Sequence, residues 1–332
     1  MMFGTAEPRL GSLDAAWTRR AAAVRESVDP GRLERLLRML PAPRVRWQRP
    51  EVMADVDAMV LDAFTSTGWP ARLRRFEVSP GQPGVNVVAV REGSSPDAVV
   101  VVAHHDTVPG TGGADDNGSG VVALMELARL LAPLPLRNSV VLAAVDHEEI
   151  GFLGARQLVA ELVAERRVVA AVVCEMLAYT SAAPGSQLLP AGIGALYRGQ
   201  VAKLRANALR GDFTAIVYRR SAQALATCLA ECLAHLAGPG AVLPLRAPTD
   251  LPVLGPVLSR TLPFARDFAR SDHVPFWDAS LPAIQLTDTA NFRNPHYHCA
   301  SDLPDTLDYQ RLADVVAAIA LTVERLAGAT PP

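Results

Sequence analysis

The stretch VVVVAHHDTVPGTGGADDNGSG, residues 99–120, decides the fold of this chain. It begins as a continuous apolar run, which is typical of a strand that is buried on both faces of a parallel sheet. A glycine-rich turn follows, and it carries His104 with Asp106 and then Asp115 with Asp116. A buried strand that leads into histidine and carboxylate side chains predicts a site at the edge of a sheet.

Predicted strands and helices alternate on both sides of this stretch. The spacing of apolar residues predicts N-terminal helices within 11–67 and a closing helix at 309–328. Between them, the predicted strands are 72–79, 85–92, 98–104, 138–146, 168–176, 213–218 and 282–288, and the predicted helices are 119–132, 154–165 and 221–237. This order predicts an α/β fold with a mixed, mostly parallel central sheet and helices on both faces. We expect one catalytic domain over 1–332, with an elaboration or lid within about 180–270.

Composition argues against several classes of protein. The net charge of −2 over 332 residues provides no basic excess for nucleic-acid binding. No apolar run approaches the roughly 20 residues of a membrane helix, and the first residues lack the apolar segment of a signal peptide. Four cysteines form no Cys-x-x-Cys pair, so we interpret them as free thiols of a reducing compartment. We therefore expect a cytoplasmic protein, whose oligomeric state the sequence does not predict.

Four predicted strands lead into His, Asp or Glu residues. These residues are His104 with Asp106, the run 146–149, Glu175, and finally His298 beyond the last strand. In parallel α/β sheets, ligands bind outside the carboxyl ends of the strands. Imidazole and carboxylate are the ligands of zinc and similar cations, and two cations about 3.5–4 Å apart need a bridging carboxylate. The sequence therefore predicts a site for two divalent cations with one glutamate left over as a base.

Five segments of the chain resemble a known family. They are AHHDTVPGTGGADDNGSG, DHEEIGFLGA, CEM, SDHVPFW and NPHYHCASDLPDTLDY, and they lie between about residues 80 and 325. Together they resemble family twenty-eight of the metallopeptidases, which are co-catalytic zinc exopeptidases that include bacterial leucyl aminopeptidases and glutamate carboxypeptidase II. The resemblance implies a phosphorylase/hydrolase-like fold and two Zn²⁺ ions, or other divalent cations, in each chain.

The resemblance also implies roles for individual residues. The implied metal ligands are His104, Asp115, Glu149, Glu175 and His298. Among them Asp115 resembles the bridging aspartate, and the Asp115–Asp116 bond resembles the cis peptide of the family. Glu175 departs from the aspartate that is common at its position. The implied catalytic residues are Glu148, as the general base, and Asp106, as the group that orients His104.

The function that the resemblance implies is removal of amino-terminal residues from peptides by water that two zinc ions activate. Arg293, Asn294 and Tyr297 precede His298 and are candidate substrate contacts. The expected partner is a peptide or amino-acid derivative, with neither nucleic acid nor membrane involved. A carboxypeptidase or N-acyl amino acid deacylase with the same two metals is the first alternative. A single-zinc glutaminyl cyclase and a non-catalytic binding module are further alternatives.

Overall fold

Eight strands form one central sheet in the computed structural model, which describes residues 10–250, 255 and 263–329. The strands are β1 (Ala71–Ser79), β2 (Gln82–Arg91), β3 (Ser95–His104), β4 (Asn138–Val145), β5 (Arg167–Glu175), β6 (Thr214–Tyr218), β7 (Val242–Arg246) and β8 (Ala283–Thr287). Their order across the sheet is β1-β2-β4-β3-β5-β8-β6-β7. The central strands β4, β3, β5 and β8 are mutually parallel, whereas β2 and β6 are antiparallel to their central neighbours. The predicted mixed, mostly parallel sheet is confirmed.

Ten α-helices whose bounds lie within the described residues accompany the sheet. They are α1 (Ala15–Ser27), α2 (Pro30–Met39), α3 (Pro50–Ser66), α4 (Gly120–Leu131), α5 (Leu153–Glu165), α6 (Ile193–Leu196), α7 (Arg198–Ala206), α8 (Gln223–Ala237), α9 (His273–Asp278) and α10 (Tyr309–Leu326). The predicted N-terminal helical region is therefore three helices. It is interrupted after α1 because Asp29 caps a new helix whose first residue is Pro30, an arrangement that favours a helix start.

The apolar run of β3 is continuous because the strand is covered on both faces. Val99 and Val101 pack into the core on the side of α4 and α10, and Val100 and Val102 pack into the core on the side of α5. All four side chains are fully buried. Burial of one such side chain contributes roughly 1.5–3 kcal/mol, so this strand anchors the residues that follow it.

The segment 180–270 contributes to the central sheet. It contains β6 and β7, and α8 covers one face. Neither the strand β7 nor the helix α7 was predicted. Strand β7 contains Pro244, which is unusual within a strand, but it lies at the edge of the sheet, where proline is tolerated. Parts of the predicted elaboration, 251–254 and 256–262, lie outside the described residues.

Within the described part of the chain, no helix is both long enough and apolar enough to cross a bilayer.

Candidate active site

The parallel central strands bring the predicted site residues to one edge of the sheet. His104 is the last residue of β3, Glu175 is the last residue of β5, and Glu148 and Glu149 lie in the turn after β4. These strands are neighbours and run in the same direction, so their carboxyl ends meet. The predicted gathering of strand ends is what the structure shows.

His104 lies between two carboxylates. Its Nε2 atom is 3.4 Å from Asp116 Oδ1 and 3.4 Å from Glu175 Oε1. The Ser271 hydroxyl donates to the other oxygen of Glu175 over 2.7 Å, which fixes the orientation of this longer carboxylate side chain. One imidazole nitrogen and two carboxylate oxygens therefore converge on one point.

A second group of three residues shares Asp116 with the first group. His298 Nε2 is 3.2 Å from Asp116 Oδ2 and 3.6 Å from Glu149 Oε2. In each of these two groups the potential ligand atoms lie within 4.8 Å of one another. The two oxygens of Asp116 thus face different histidines, which is the geometry expected of a bridging carboxylate.

The prediction that Asp115 occupies this bridging position is wrong, because Asp116 and not Asp115 faces the two histidines. Asp115 points into the protein, where its oxygens accept hydrogen bonds from the Ala178 N–H at 3.0 Å and from Asn294 Nδ2 at 3.0 Å. The cis peptide bond joins Asp116 to Asn117, one residue later than predicted. The backbone of Asp116 and Asn117 departs from helical angles within the turn Ala114–Ser119, and this turns the side chain of Asp116 towards the histidines.

Asp106 contacts both His104 and the turn that carries Glu148 and Glu149. One of its oxygens lies 3.5 Å from His104 Nδ1, and its carboxylate accepts the backbone N–H groups of Glu148 and Glu149 at 3.1 and 3.3 Å. Asp106 therefore links the end of β3 to the turn after β4.

Asp302 has a similar role for the turn that carries Asp116. Its carboxylate accepts the backbone N–H groups of Asp115 at 3.0 Å and Asp116 at 3.1 Å. Two backbone hydrogen bonds join the same loops, from Gly112 to the Cys299 carbonyl and from Ala114 to the Asp302 carbonyl. The loop that carries His298 and the turn that carries Asp116 are therefore fastened to each other.

The site is electrostatically crowded with negative charge. Burial raises the pKa of Glu149 to about 9, and the charge of Asp116 adds to this effect. Burial also raises the pKa of Glu148 well above its usual value, with Glu175 and Asp272 as further contributors. Although burial opposes it, the carboxylates of Glu175 and Glu148 raise the pKa of His104. The cluster therefore favours positive charge at its centre.

These residues fit divalent cations. Within the described residues, Glu149 Oε1 and both carboxylate oxygens of Asp272 are buried without a hydrogen-bond partner. Buried carboxylate oxygens are costly unless they are paired or coordinate a metal. Mixed imidazole and carboxylate donors, with buried oxygens left unpaired, are the donor set expected around zinc or a similar ion.

The three candidate substrate contacts have different environments. Arg293 is buried, and its guanidinium donates to Gln187 Oε1 at 3.0 Å and to the Phe213 carbonyl at 2.6 Å. Asn294 is committed to Asp115. Only Tyr297 remains beside the site, where its ring stacks on that of His298 with a centroid separation of 3.8 Å.

Two features of the site were missed by the sequence reasoning. Arg44 is buried beneath the cluster, where it donates to the carbonyls of His105 and Gly113 at 2.7 and 2.8 Å. It lies in an irregular segment between α2 and α3, and no pattern in the sequence marked it. Asp272 lies close enough to Glu148 to raise its pKa. The sequence does mark Asp272, because it lies in the motif SDHVPFW.

Two comparisons of sequence identify relatives. The model of peptidase family M28 matches residues 86–219. The uncharacterized protein YfbL of Escherichia coli K12 is 30% identical over 320 residues, which cover 90% of this chain and 89% of that protein. Aminopeptidase YwaD of Bacillus subtilis is 37% identical over 91 residues, which cover 26% of this chain and 20% of YwaD.

Solved structures share the fold. The LapA aminopeptidase of Legionella pneumophila has a TM-score of 0.67 at 18% identity, with 97% of this chain and 78% of that chain covered. A glutaminyl cyclase of Fimbriiglobus ruber has a TM-score of 0.61 at 18% identity, with 96% of this chain and 98% of that chain covered. Since the family model and a relative that matches nearly the full length agree with the gathered His, Asp and Glu residues, the chain belongs to peptidase family M28.

Proposed function

We propose that this protein is an aminopeptidase that uses two divalent cations, with zinc as the physiological metal. Family membership supports peptide hydrolysis, and the pair of three-residue groups that share Asp116 supports two cations. The local similarity to aminopeptidase YwaD supports attack at the amino terminus.

The residues that would hold the cations fall into two sets around Asp116. His104 and Glu175 would complete one set, and Glu149 and His298 would complete the other. When bound, zinc lowers the pKa of water and polarises a carbonyl oxygen. Three protein ligands for each cation would leave a further position for water or substrate.

Glu148 is the residue we assign as general base. It is buried beside the cluster, and burial keeps its pKa well above the usual value for glutamate. A raised pKa makes this carboxylate a stronger base, which can accept a proton from the attacking water and return it to the leaving amine. Asp106 acts through two other residues. It accepts the backbone N–H of Glu148 and lies beside the ring nitrogen Nδ1 of His104.

The environment of Arg293 is the observation that favours an aminopeptidase over a carboxypeptidase. Recognition of a terminal carboxylate requires a committed cation, and Arg293 is instead buried, with its Nε and Nη1 atoms bound to groups inside the protein. Arg270 is a further arginine beside the site, and it lies 3.6 Å from Asp267 while it donates to the Tyr297 hydroxyl. The surplus of carboxylates suits a substrate α-amine.

The experiment is a kinetic comparison of blocked substrates with zinc-loaded protein. We expect acetylation of the amine of a good dipeptide to abolish most of kcat/KM, and amidation of its carboxyl terminus to have little effect. Arg270→Gln should leave turnover of the amidated dipeptide unchanged. The opposite result, with amidation and Arg270→Gln both costly, would establish a carboxypeptidase, and preference for the acetylated substrate would establish a deacylase.

Metal content separates the aminopeptidase from the cyclase alternative. We expect two zinc ions per chain after reconstitution at neutral pH, as measured by elemental analysis. One ion per chain at saturating zinc, together with ammonia release from amino-terminal glutamine, would favour a glutaminyl cyclase.

We also propose a cytoplasmic location, which the four free thiols support. Fractionation of the cells that produce the protein tests this, and recovery from the culture medium or periplasm would contradict it.

A further inference from the structure

A cavity next to Glu175 has no part in the chemistry described above. It begins at Glu175 and Tyr297 and extends along β6, β7 and β8, with helix α7 on its other side. Its volume of about 120 Å³ is roughly ten times the space that one buried water requires. The cavity can therefore hold a side chain of a substrate whose reacting bond lies at the metal cluster.

The inner walls of the cavity are mainly apolar, but two glutamine amides interrupt them. The apolar lining includes Leu204, Val217 and Leu245, while Gln200 of α7 and Gln285 of β8 also face the cavity. These glutamines are only 4% and 6% exposed. No hydrogen bond joins either side-chain amide to another described residue, and both residues line the cavity.

A third glutamine in the same cavity shows how a structural amide is satisfied. Gln187 donates to the Thr289 hydroxyl at 3.0 Å and accepts from Arg293 Nε at 3.0 Å. Burying a polar group without such partners costs free energy, and fully buried amides are nearly always paired. The unpaired amides of Gln200 and Gln285 are thus available to a ligand.

The charged residues of the lining are at the entrance of the cavity. Arg270 and Asp267 are partly exposed and lie 3.6 Å apart, and Glu175 belongs to the metal cluster. No charged residue among the described lining residues belongs to α7, β6, β7 or β8. The inner part of the cavity therefore suits a neutral group.

We propose that this cavity binds the side chain of the substrate's amino-terminal residue, and that it selects a neutral side chain with a hydrogen-bonding end. The carboxamide of glutamine and the hydroxyl of tyrosine both donate and accept, so each can pair with the amides of Gln200 and Gln285. This assignment rests on the proposed function, because it takes the bond at the metal cluster as the one that is cleaved.

The test compares substrates that differ only at the end of the side chain. Amino-terminal glutamine is matched with methionine, and tyrosine is matched with phenylalanine, with the same second residue throughout. We expect kcat/KM to be at least about tenfold higher for the polar member of each pair, because an apolar end leaves the buried amides unpaired. Gln285→Met and Gln200→Met should remove or reverse this preference.

A matched control is Gln223→Met, at an exposed position of α8, which should leave the preference intact. Equal or higher kcat/KM for methionine and phenylalanine would overturn the proposal while the aminopeptidase function stands. A preference that survives both cavity substitutions would also overturn it.

Binding separates failure of this proposal from failure of the proposed function. Titration calorimetry with glutamine amide and methionine amide measures affinity without turnover. If no substrate is hydrolysed, the aminopeptidase function is wrong. In that case at least about tenfold tighter binding of glutamine amide, lost in Gln285→Met, still supports the cavity assignment, and equal binding rejects it.

Discussion

Asp115 and Asp116 are adjacent in sequence, but their side chains have different electrostatic environments. Burial raises the pKa of Asp115, whose oxygens accept from the Ala178 N–H and Asn294 and lie beside the carboxyl group of Asp288. Although burial also acts on Asp116, hydrogen bonds with His104 and His298 lower the pKa of this second carboxyl. The ionised group that faces both histidines is therefore Asp116.

Asp116→Asn should abolish metal binding and turnover, because an amide can neither bridge two cations nor balance their charge. Asp115→Asn should keep the metal and lose about 1 kcal/mol of stability, since the new amide still accepts one of the two hydrogen bonds. Elemental analysis after dialysis and the free energy of unfolding measure these effects. Loss of metal in Asp115→Asn, with retention in Asp116→Asn, would restore the bridging role to Asp115.

Glu148→Gln should reduce kcat by at least about 100-fold while metal content stays near that of the wild type, because the amide keeps the shape but cannot accept a proton. Glu149→Gln should instead weaken one metal, since Glu149 lies in the group with His298. Kinetics and elemental analysis on both variants test the assignment. A loss of metal in Glu148→Gln, with normal metal content in Glu149→Gln, would reverse the two roles.

The sequence predicts which elements carry the site better than it predicts which side chains face it. His104, Glu148, Glu149 and Glu175 follow from strand ends, because parallel strands present their carboxyl ends together. The choice between Asp115 and Asp116 depends on the backbone angles of an irregular turn, which residue spacing does not encode. Arg44 was missed for the same kind of reason, since it lies outside any periodic element.

In the short helix α9, burial of a histidine ring makes the stability of the protein depend on pH. His273, its first residue, is fully buried, and its ring meets that of Trp277 edge-on at 4.3 Å. Its Nε2 atom lies 2.9 Å from the Phe268 carbonyl oxygen, which suits a neutral ring that donates from Nε2. Burial lowers the pKa of His273 to about 4.

Stability should therefore fall as the pH drops from about 6.5 to 4. In this window the unfolded chain binds a proton at His273 and the folded chain does not, so the unfolded state is favoured. Between pH 7 and pH 4.5 we expect the free energy of unfolding of the wild type to fall by about 2–3 kcal/mol more than that of His273→Gln, as measured by urea unfolding.

His235→Gln, at an exposed position of α8, is the matched control and should show the wild-type pH profile. Identical profiles for the wild type and His273→Gln would contradict the assignment of a neutral, buried ring.

The whole protein gathers many of its buried acidic groups at one edge of the sheet. The group comprises Asp106, Asp115, Asp116, Glu148, Glu175, Asp272 and Asp302. Arg44 supplies one positive charge beneath them, so the acidic groups remain in excess. Cations that bind the folded state alone will therefore stabilise the entire fold.

Zinc should raise Tm, and the rise should be larger at pH 8 than at pH 6. Free zinc at about 100 times Kd stabilises by roughly 2.7 kcal/mol per site, and protons compete for the same imidazoles and carboxylates as the pH falls. Thermal unfolding with zinc or a chelator at both pH values measures this, with Asp116→Asn as a control that should not respond. A Tm that zinc leaves unchanged at both pH values would contradict the metal site.

The hydrogen bonds that fasten the His298 loop to the turn of Asp116 have a consequence for biosynthesis. Asp302 is the acceptor that holds the backbone of Asp115 and Asp116, yet it is translated almost two hundred residues after them. A nascent chain therefore cannot fasten the turn of Asp116 until residue 302 has been synthesised and has left the ribosome. In a peptidase built in this way the cluster can become ordered only after that point, so shorter nascent forms of the chain lack the arranged site.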